Sequence, residues 1–506
     1  MVDVCRDARW GRIAEGSGED TYLGVEMAKA RVRGFQGQLS NGRKVVACPK
    51  HFAAYGATED GRDYNTVDIS ERTLRDVYLP PFKAAFDEGA GTTMSSFNEI
   101  GGVPSSVSHF LLTEVLRDEW GWPGLVVSDW NAIFECIAHG VAEDLRGAGR
   151  KSVLAGTDMD MSSDSFVHHL AELVESGEVP VTVLNEAVRR ILRVKFALGL
   201  FDQPTHDPDL AEDAILKPEY RETALAVTHK SMVLLKNEEE LLPLNPAFKK
   251  IALIGPLADD HHEILGCWYR IGEDGDTDSV LDGFIAVLPD AEISHVTGCD
   301  LAGKEPASFE AAVAAASAAD VAVLVLGEGE QMSGEAHSRA FLDLPGHQQA
   351  LLEAVHATGT PVVLVLMSGR PLVLPWAVEN VPAILQAWHG GIRTGRAVAD
   401  LLTGAVNPSG KLTASWPRSV GQVPIYYGRK NTGRPADGEG TMQFNKPHWS
   451  IYIDEQNAPQ FPFGYGLSYT SFEYSDLTVE TPEIGLEGEM IVSAMITNTG
   501  KRAGNE

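Results

Sequence analysis

Short apolar runs alternate with longer amphipathic stretches through the first 200 residues. Short apolar runs are typical of buried strands, and apolar positions repeating every three or four residues are typical of helices that cover a sheet. Their alternation therefore predicts βα units around a parallel sheet. The strands are expected at residues 2–4, 44–48, 92–97, 124–128 and 158–161, and the main helices at 20–35, 70–87, 110–119, 147–154 and 183–198.

A second α/β region follows residues 200–220, which are rich in proline and aspartate, have no sustained period and indicate an interdomain linker. Its apolar strands end in Gly or Pro, as in KKIALIGP, DVAVLVLGE, TPVVLVLMSGRP and VPAILQAW. The aromatic-rich stretch that follows indicates a loop, and alternation from about Phe472 predicts the opening strands of a small β-sandwich. The expected domains are residues 1–205, 206–425, 426–471 (a connecting loop) and 472–506.

Charge and apolar run length limit the partners. The 506 residues include 41 Lys or Arg and 71 Asp or Glu, a formal charge of −30, which argues against nucleic acid. The longest apolar runs fall short of the roughly 18 residues that cross a membrane. Neither the five scattered cysteines nor the His168-His169 and His261-His262 pairs have metal-ligand spacing, and no nucleotide-binding glycine pattern is complete. We therefore expect no metal and no cofactor.

Two strand ends carry candidate chemistry. In GLVVSDW the predicted strand ends just before Asp129, where a carboxylate is a nucleophile, a base, a metal ligand or simply a cap for the next helix. In CPKHF, Lys50 and His51 suit sugar hydroxyls, and Lys50 would favour ionisation of a nearby carboxylate. The competing interpretation is a solvated lysine and a structural histidine. No G-x-S-x-G motif is present, so paired carboxylates remain the favoured chemistry.

Nine ordered motifs resemble glycoside hydrolase family three, of the bacterial periplasmic β-glucosidase type. They are DARWGRIAEGSGED, KHFAAYG, NTVDISERTL, GLVVSDW, ILRVKFALGLF, SMVLLKNEE, SGEAHSR, NPSGKLTASWPRSVGQVP and FPFGYGLSYTSF. The resemblance implies an α/β fold: an incomplete (β/α)8-type barrel, an α/β sandwich domain and the start of a fibronectin type III-like β domain. It also implies a retaining, exo-acting β-glucosidase, a homodimer that is periplasmic or secreted and acts on small oligosaccharides or aryl β-glycosides.

The same resemblance implies the roles of individual residues. Asp129 aligns with the nucleophile, and Glu335 in SGEAHSR resembles the loop acid/base, with Glu135 as competitor. The residues aligned with substrate-binding positions are Arg12, Lys50, His51, Met94, Trp130 and, across a loop with one extra residue, Arg62. A retaining mechanism requires Asp129 to be ionised beside Lys50 or Arg12 and Glu335 to be neutral in drier surroundings. Phe97 stands where many relatives have a tyrosine that touches the nucleophile.

The motifs that resemble the family begin partway into its barrel. About three βα units, including a G-I-D-x-x-H-G strand whose aspartate grips the sugar, have no counterpart before VDV, no signal peptide is visible, and the last strand pattern stops early. We therefore expect a chain truncated at both ends, with little activity of its own, because an open barrel cannot hold its pocket rigid. The alternatives are a non-catalytic remnant that binds sugar weakly, and β-xylosidase or β-N-acetylglucosaminidase specificity.

Overall fold

The chain folds into two compact units in a computed structural model that describes residues 1–37, 45–202, 215–269, 272–305, 307–436, 448–481, 483–486 and 488–506. The first unit contains residues 1–215, 332–342 and 413–457. The second unit contains residues 216–331, 343–412 and 458–506. Residue 335, which lies in the sequence between two strands of the second unit, therefore folds with the first unit.

The first unit has short strands and long helices. Its strands are β1 (Thr92–Met94), β2 (Glu99–Ile100), β3 (Val103–Pro104) and β4 (Leu125–Val127). Its main helices are Thr21–Phe35, Pro80–Asp87, Phe110–Glu119, Ala132–Glu135, Leu145–Ala155, Ser165–Glu175 and Val181–Ala197. Aspartates cap two of them: Asp20 accepts from the Leu23 amide at 2.6 Å, and Asp144 accepts from the Gly147 amide at 2.7 Å. Each cap satisfies an amide that the first helical turn leaves unpaired.

Five extended segments of the first unit lie side by side in the order that the sequence predicts. β1 pairs in parallel with β4, and residue 159 forms a parallel bridge with Val127. On the other side, residues 47–49 accept amides of β1, and the Lys50 carbonyl accepts the Val2 amide at 2.9 Å. The predictions of regular strands at 2–4 and 158–161 are wrong, because these segments pair with their neighbours through isolated hydrogen bonds and a bridge rather than through a regular ladder. The strand predicted from Lys44 begins outside the described residues, and residues 45–48 form no regular strand.

The predicted helix at 70–87 is interrupted. The structure has helical turns at Glu71–Thr73 and Leu74–Tyr78 and then the helix Pro80–Asp87. The two consecutive prolines explain the break, because a proline has no amide to donate to the preceding turn and its ring crowds the carbonyl there. Phe82 and Phe86 of this helix pack edge-on against Phe52, so the interrupted segment still covers the extended segments.

The second unit is built on a six-stranded sheet. Its strands are β5 (Val233–Asn237), β6 (Lys250–Ile254), β7 (Glu292–Val296), β8 (Val321–Gly327), β9 (Val362–Met367) and β10 (Ala383–Gln386). They lie in the order β5-β10-β9-β8-β6-β7, and every pair is parallel except β10 with β5. The helices are Pro218–Ser231, Val280–Val287, Glu310–Ser317, Gln348–His356, Pro375–Asn380 and Thr394–Leu402.

The sheet confirms four predicted strands. β8 and β9 are buried along their whole length, as their unbroken apolar sequences predict. The sequence analysis missed β5 and β7. β7 lies at the edge of the sheet, where Glu292 and Ser294 are exposed and Val296 is half-buried. It therefore lacks the apolar run of a central strand. The predicted linker lies largely outside the described residues, and the helix Pro218–Ser231 begins at its end.

Two further strands follow in the second unit, β11 (Phe472–Val479) and β12 (Val492–Asn498), paired antiparallel. They confirm the strands predicted from about Phe472. None of the helices that the structure describes combines the length and the apolar character needed to cross a membrane.

Candidate active site

Asp129 lies directly beyond the buried strand β4. Its side chain is nearly buried, and its residue is 7% exposed. Its Oδ1 accepts the Trp130 amide at 2.7 Å, so this carboxylate does not cap the helix Ala132–Glu135. The residue before that helix, Asn131, makes no side-chain cap bond, and the Phe134 amide in the first turn donates to Ser163 Oγ at 3.3 Å. The capping interpretation is therefore wrong. The other oxygen, Oδ2, is buried and receives no hydrogen bond from the residues that the structure describes.

His51 faces that free oxygen. Its Nε2 lies 3.4 Å from Asp129 Oδ2, and its Nδ1 lies 3.1 Å from Asp3 Oδ2. Asp3 Oδ2 also accepts the backbone amide of His51 at 2.9 Å. The His51 and Asp3 side chains are fully buried. His51 is thus held by Asp3 on one side and presented to Asp129 on the other, while Lys50 beside it is half-buried.

Glu335 is attached to the loops of the first unit by two side chains. The Tyr64 hydroxyl donates to Glu335 Oε1 at 2.8 Å, and Arg12 Nη1 lies 3.5 Å from the same oxygen. Arg12 is buried and also bonds Glu15 at 2.7 Å. A fixed cation and a hydroxyl therefore orient the Glu335 carboxylate.

The backbone of the Glu335 segment is held as well. Asp63 accepts the Ala336 amide at 2.7 Å and the Trp10 indole N–H at 2.9 Å. The Gly334 amide donates to the Gly11 carbonyl at 2.8 Å. A Cβ on Gly11 would lie 2.2 Å from the Gly334 carbonyl oxygen, so this close approach requires glycine. These bonds make residues 332–342 part of the first unit.

Burial governs the charge of Asp129. Burial is the main cause that raises its pKa, and the nearby Glu335 acts in the same direction, while the Trp130 amide, Lys50 and Arg12 lower it; together these effects raise the pKa of Asp129 from 3.8 to about 6. The cations therefore only offset part of the cost of burial. With a pKa of about 6, Asp129 is mostly ionised at neutral pH, as a nucleophile needs to be.

Glu135 belongs to the same electrostatic group. It lies half-buried at the end of the helix Ala132–Glu135. Burial, with repulsion from Asp129 and Glu335, raises the pKa of Glu135 to about 7. Three carboxyl groups therefore interact around one site, and two of them are the candidates for a proton donor.

The remaining predicted substrate-binding residues are Met94, Trp130 and Arg62. Met94 ends β1, and Trp130 follows Asp129 with 66% of its surface exposed. The Arg62 side chain is also 66% exposed, beside Asp60 at 3.6 Å. Among the described contacts, none joins Arg62 to Asp129 or Glu335. Phe97 is buried and packs edge-on against Tyr64, with ring centres 5.0 Å apart.

Sequence reasoning missed Asp3, Asp63 and Tyr64. A weak signal for Asp3 was present, because it is a charged residue inside the otherwise apolar first predicted strand. No local signal connects Tyr64 or Asp63 with the Glu335 segment, because their partners there lie 271 and 273 residues further along the chain.

Two family models match most of the chain. "Glycosyl hydrolase family 3 N terminal domain" matches residues 1–194, and "Glycosyl hydrolase family 3 C-terminal domain" matches residues 232–469. Among curated relatives, a periplasmic beta-glucosidase of Salmonella typhimurium is 42% identical over 100% of this chain and 69% of its own length. A beta-xylosidase of Formosa agariphila is 38% identical over 99% of this chain and 70% of its own.

Solved structures agree. The beta-glucosidase from Listeria innocua in complex with isofagomine superposes with a TM-score of 0.93 at 41% identity, over 98% of this chain and 69% of that one. A mutant of the same enzyme in complex with laminaribiose has the same score and identity over 98% of this chain and 68% of that one. The resemblance seen in the sequence is confirmed, and the chain belongs to glycosyl hydrolase family 3, a family of glycoside-cleaving enzymes.

Proposed function

We propose that the protein is a retaining, exo-acting β-glucosidase that releases terminal β-D-glucosyl residues from small oligosaccharides and aryl β-glycosides. The observation that carries this proposal is the pairing of two carboxylates from distant parts of the chain around one buried cation. Asp129 follows β4, Glu335 comes from residues 332–342, and Arg12 contacts Glu335 while lowering the pKa of Asp129. The names of the Salmonella and Listeria relatives support glucose as the sugar.

In the proposed mechanism, Asp129 attacks the anomeric carbon and forms a glycosyl-enzyme while the bond to the leaving oxygen breaks. Glu335 gives its proton to that oxygen, then takes a proton from the water that attacks the glycosyl-enzyme, which releases the sugar and frees Asp129. This requires the two carboxyl groups to approach within about 5 to 5.5 Å. Glu135 is the alternative proton donor, supported by its pKa of about 7.

The surroundings of Asp129 support the proposed sugar-binding roles. His51 Nε2 lies 3.4 Å from Asp129 Oδ2, and the charge of Lys50 lowers the pKa of Asp129, so both residues are proposed to bind the hydroxyl groups of the bound sugar. Arg12 holds Glu335 and limits the pKa of Asp129, and exposed Trp130 is proposed to wall the subsite. Met94 is proposed to lie at its edge. Arg62 would reach a substrate only from its exposed position beside Asp60.

The architecture is proposed in the same terms. The five extended segments of the first unit fit part of a (β/α)8-type barrel, the six-stranded sheet fits an α/β sandwich domain, and the β11-β12 pair fits the start of a fibronectin type III-like domain. The proposed domain ranges are 1–205, 206–425 and 472–506, with 426–471 connecting the last two. A homodimer in the periplasm or outside the cell is proposed, supported by the name of the Salmonella relative for the location alone.

A β-xylosidase is the second candidate, because the Formosa relative of similar identity carries that name. The two sugars differ by the hydroxymethyl group on carbon 5. Comparison of kcat/KM for nitrophenyl β-glucoside and nitrophenyl β-xyloside decides between them. A ratio well above one favours the glucosidase, and the reverse ratio favours the xylosidase.

Covalent trapping tests the mechanism. A 2-deoxy-2-fluoro-β-glucosyl fluoride should add one sugar mass to the protein, on the peptide that contains Asp129. Asp129→Asn should not be labelled. Asp400→Asn is the matched control, because Asp400 is a buried aspartate of the second unit that pairs with His229 and Arg396, and this variant should label normally. A label on another residue overturns the assignment of Asp129.

The proton donor is tested separately. Glu335→Ala should lose far more activity on alkyl glucosides than on dinitrophenyl glucoside, because only the poor leaving group needs protonation, and azide should restore turnover. If Glu135→Ala shows this pattern and Glu335→Ala does not, Glu135 is the acid/base.

A further inference from the structure

Three buried side chains are in contact in the order Asp3, His51 and Asp129, and the proposed function gives no role to the first of them, Asp3. Asp3 Oδ2 lies 3.1 Å from His51 Nδ1, and His51 Nε2 lies 3.4 Å from Asp129 Oδ2. Both facing atoms of the second contact, His51 Nε2 and Asp129 Oδ2, are buried and have no hydrogen-bond partner among the described atoms. The missing hydrogen bond is explained if both atoms are acceptors, with no proton between them.

The position of the imidazole proton follows from the surroundings of Asp3. Its Oδ2 already accepts the His51 backbone amide at 2.9 Å, so it acts as an acceptor toward this residue. A neutral imidazole carries one N–H, and placing it on Nδ1 gives Asp3 a second donor. Nε2 then has a lone pair directed at Asp129.

His51 is kept neutral by its environment. Burial lowers the pKa of His51 well below 6.5, and the nearby Arg12 and Lys50 lower it further. The imidazole therefore carries a single proton at the pH where a glycosidase works. Its tautomer decides whether Asp129 faces an N–H donor or a nitrogen lone pair. The ionisable groups that act on this line are Lys50 from the same loop, Arg12 and Glu15 from residues 11–15, Glu335 and Glu135 near Asp129, and the α-amino group of Met1.

We infer that Asp3 is a positioning residue that holds His51 in the Nδ1–H tautomer and so withholds a hydrogen bond from the nucleophile Asp129. This inference rests on the proposed function. Without that hydrogen bond the carboxylate keeps its negative charge less stabilised and more nucleophilic. Nε2 is then an acceptor for a hydroxyl group of the bound sugar rather than a donor to the enzyme's own carboxylate.

Removing the acceptor should reverse the tautomer. In Asp3→Ala, Asp129 Oδ2 is the remaining acceptor that faces the ring, so the proton moves to Nε2 and is donated across the 3.4 Å contact. That bond stabilises ionised Asp129 and lowers its pKa. We expect the acid limb of the kcat/KM profile to move down by about one pH unit and kcat/KM at the optimum to fall by about tenfold.

Asp3→Asn is the matched control, because it removes the same charge but keeps an oxygen that accepts from His51. It should retain the Nδ1–H tautomer and an acid limb close to that of the unmodified protein. An effect of charge alone would shift both variants equally, and a purely structural role would lower activity without moving the acid limb.

The tautomer itself is read by ¹⁵N NMR with labelled histidine, using His51→Gln to assign the signals. The unmodified protein should show a pyrrole-type shift for Nδ1 and a pyridine-type shift for Nε2, and Asp3→Ala should show the reverse. A pyridine-type Nδ1 in the unmodified protein overturns the inference even if Asp3→Ala fails to fold. So does an equal shift of the acid limb in both Asp3 variants.

Failure of the proposed function would look different. In that case the fluoro-glycoside would leave Asp129 unlabelled, while the histidine spectra would still report the tautomer that Asp3 imposes.

Discussion

The hydroxyl of Tyr64 offers a test of how Glu335 is oriented. Tyr64→Phe removes the donor 2.8 Å from Glu335 Oε1 and keeps the ring that packs against Phe97. Arg12, 3.5 Å from the same oxygen, stays in place, so the carboxylate loses one of two described partners rather than both. The change therefore isolates the orienting hydrogen bond from the packing of the loop.

The size of the effect follows from the exposure of the bond. In the proposed proton-donating step Glu335 is protonated, so the lost bond joins two neutral groups, and such a bond contributes about 0.5 to 1.5 kcal/mol. Tyr64 is 41% exposed, so water replaces part of what is lost. We take about 0.5 to 1 kcal/mol, which corresponds to about a two- to fivefold loss in rate. The loss should fall on reactions in which Glu335 must protonate the leaving group.

The assay compares two substrates. With an alkyl β-glucoside, kcat/KM of Tyr64→Phe should fall by about two- to fivefold, and with dinitrophenyl β-glucoside it should change by less than about 1.5-fold. Tyr427→Phe is the matched control, because it removes a tyrosine hydroxyl that donates to Asp20, away from the site. It should leave both values unchanged. Equal losses on both substrates, or no loss on either, would refute the role given to Tyr64.

Three further predictions concern charge and attachment. Asp129→Asn should stabilise the protein by up to about 3 kcal/mol at pH 8, because ionising a carboxyl whose pKa is raised from 3.8 to about 6 costs the native state free energy. In thermal melts this gain in stability should shrink to about a third at pH 4.5, and a gain that does not change with pH contradicts the prediction. Arg370→Met should destabilise the second unit by about 3 to 5 kcal/mol in urea, because it removes the buried guanidinium 3.0 Å from the buried Glu328 carboxylate. Adding Glu328→Gln should restore part of the loss, and equal stability of the single and double variants contradicts the prediction. Asp63→Ala should speed amide exchange in residues 334–338 about tenfold or more, since it removes the acceptor of the Ala336 amide, and unchanged exchange there contradicts it.

Much of the local structure and of the chemistry was readable from the chain alone. Unbroken apolar runs predicted β8 and β9, because a central strand of a parallel sheet is covered on both faces. The strand end before Asp129 predicted a presented carboxylate, because side chains beyond a buried strand point to the edge of the sheet where sites form. The nine ordered motifs identified the family, which the comparisons confirm.

The tertiary structure decided which groups meet and in what state of charge. Periodicity reports only neighbours along a strand or helix, so it carries no information on Tyr64 and Glu335, which lie 271 residues apart and meet through a folded-back loop. In the sequence, Lys50 and His51 are neighbouring polar residues with nothing to distinguish their burial. The fold buries His51 between Asp3 and Asp129. The pKa of Asp129 is likewise a property of the fold, because desolvation depends on what packs around a carboxylate and outweighs the two cations that the sequence made visible.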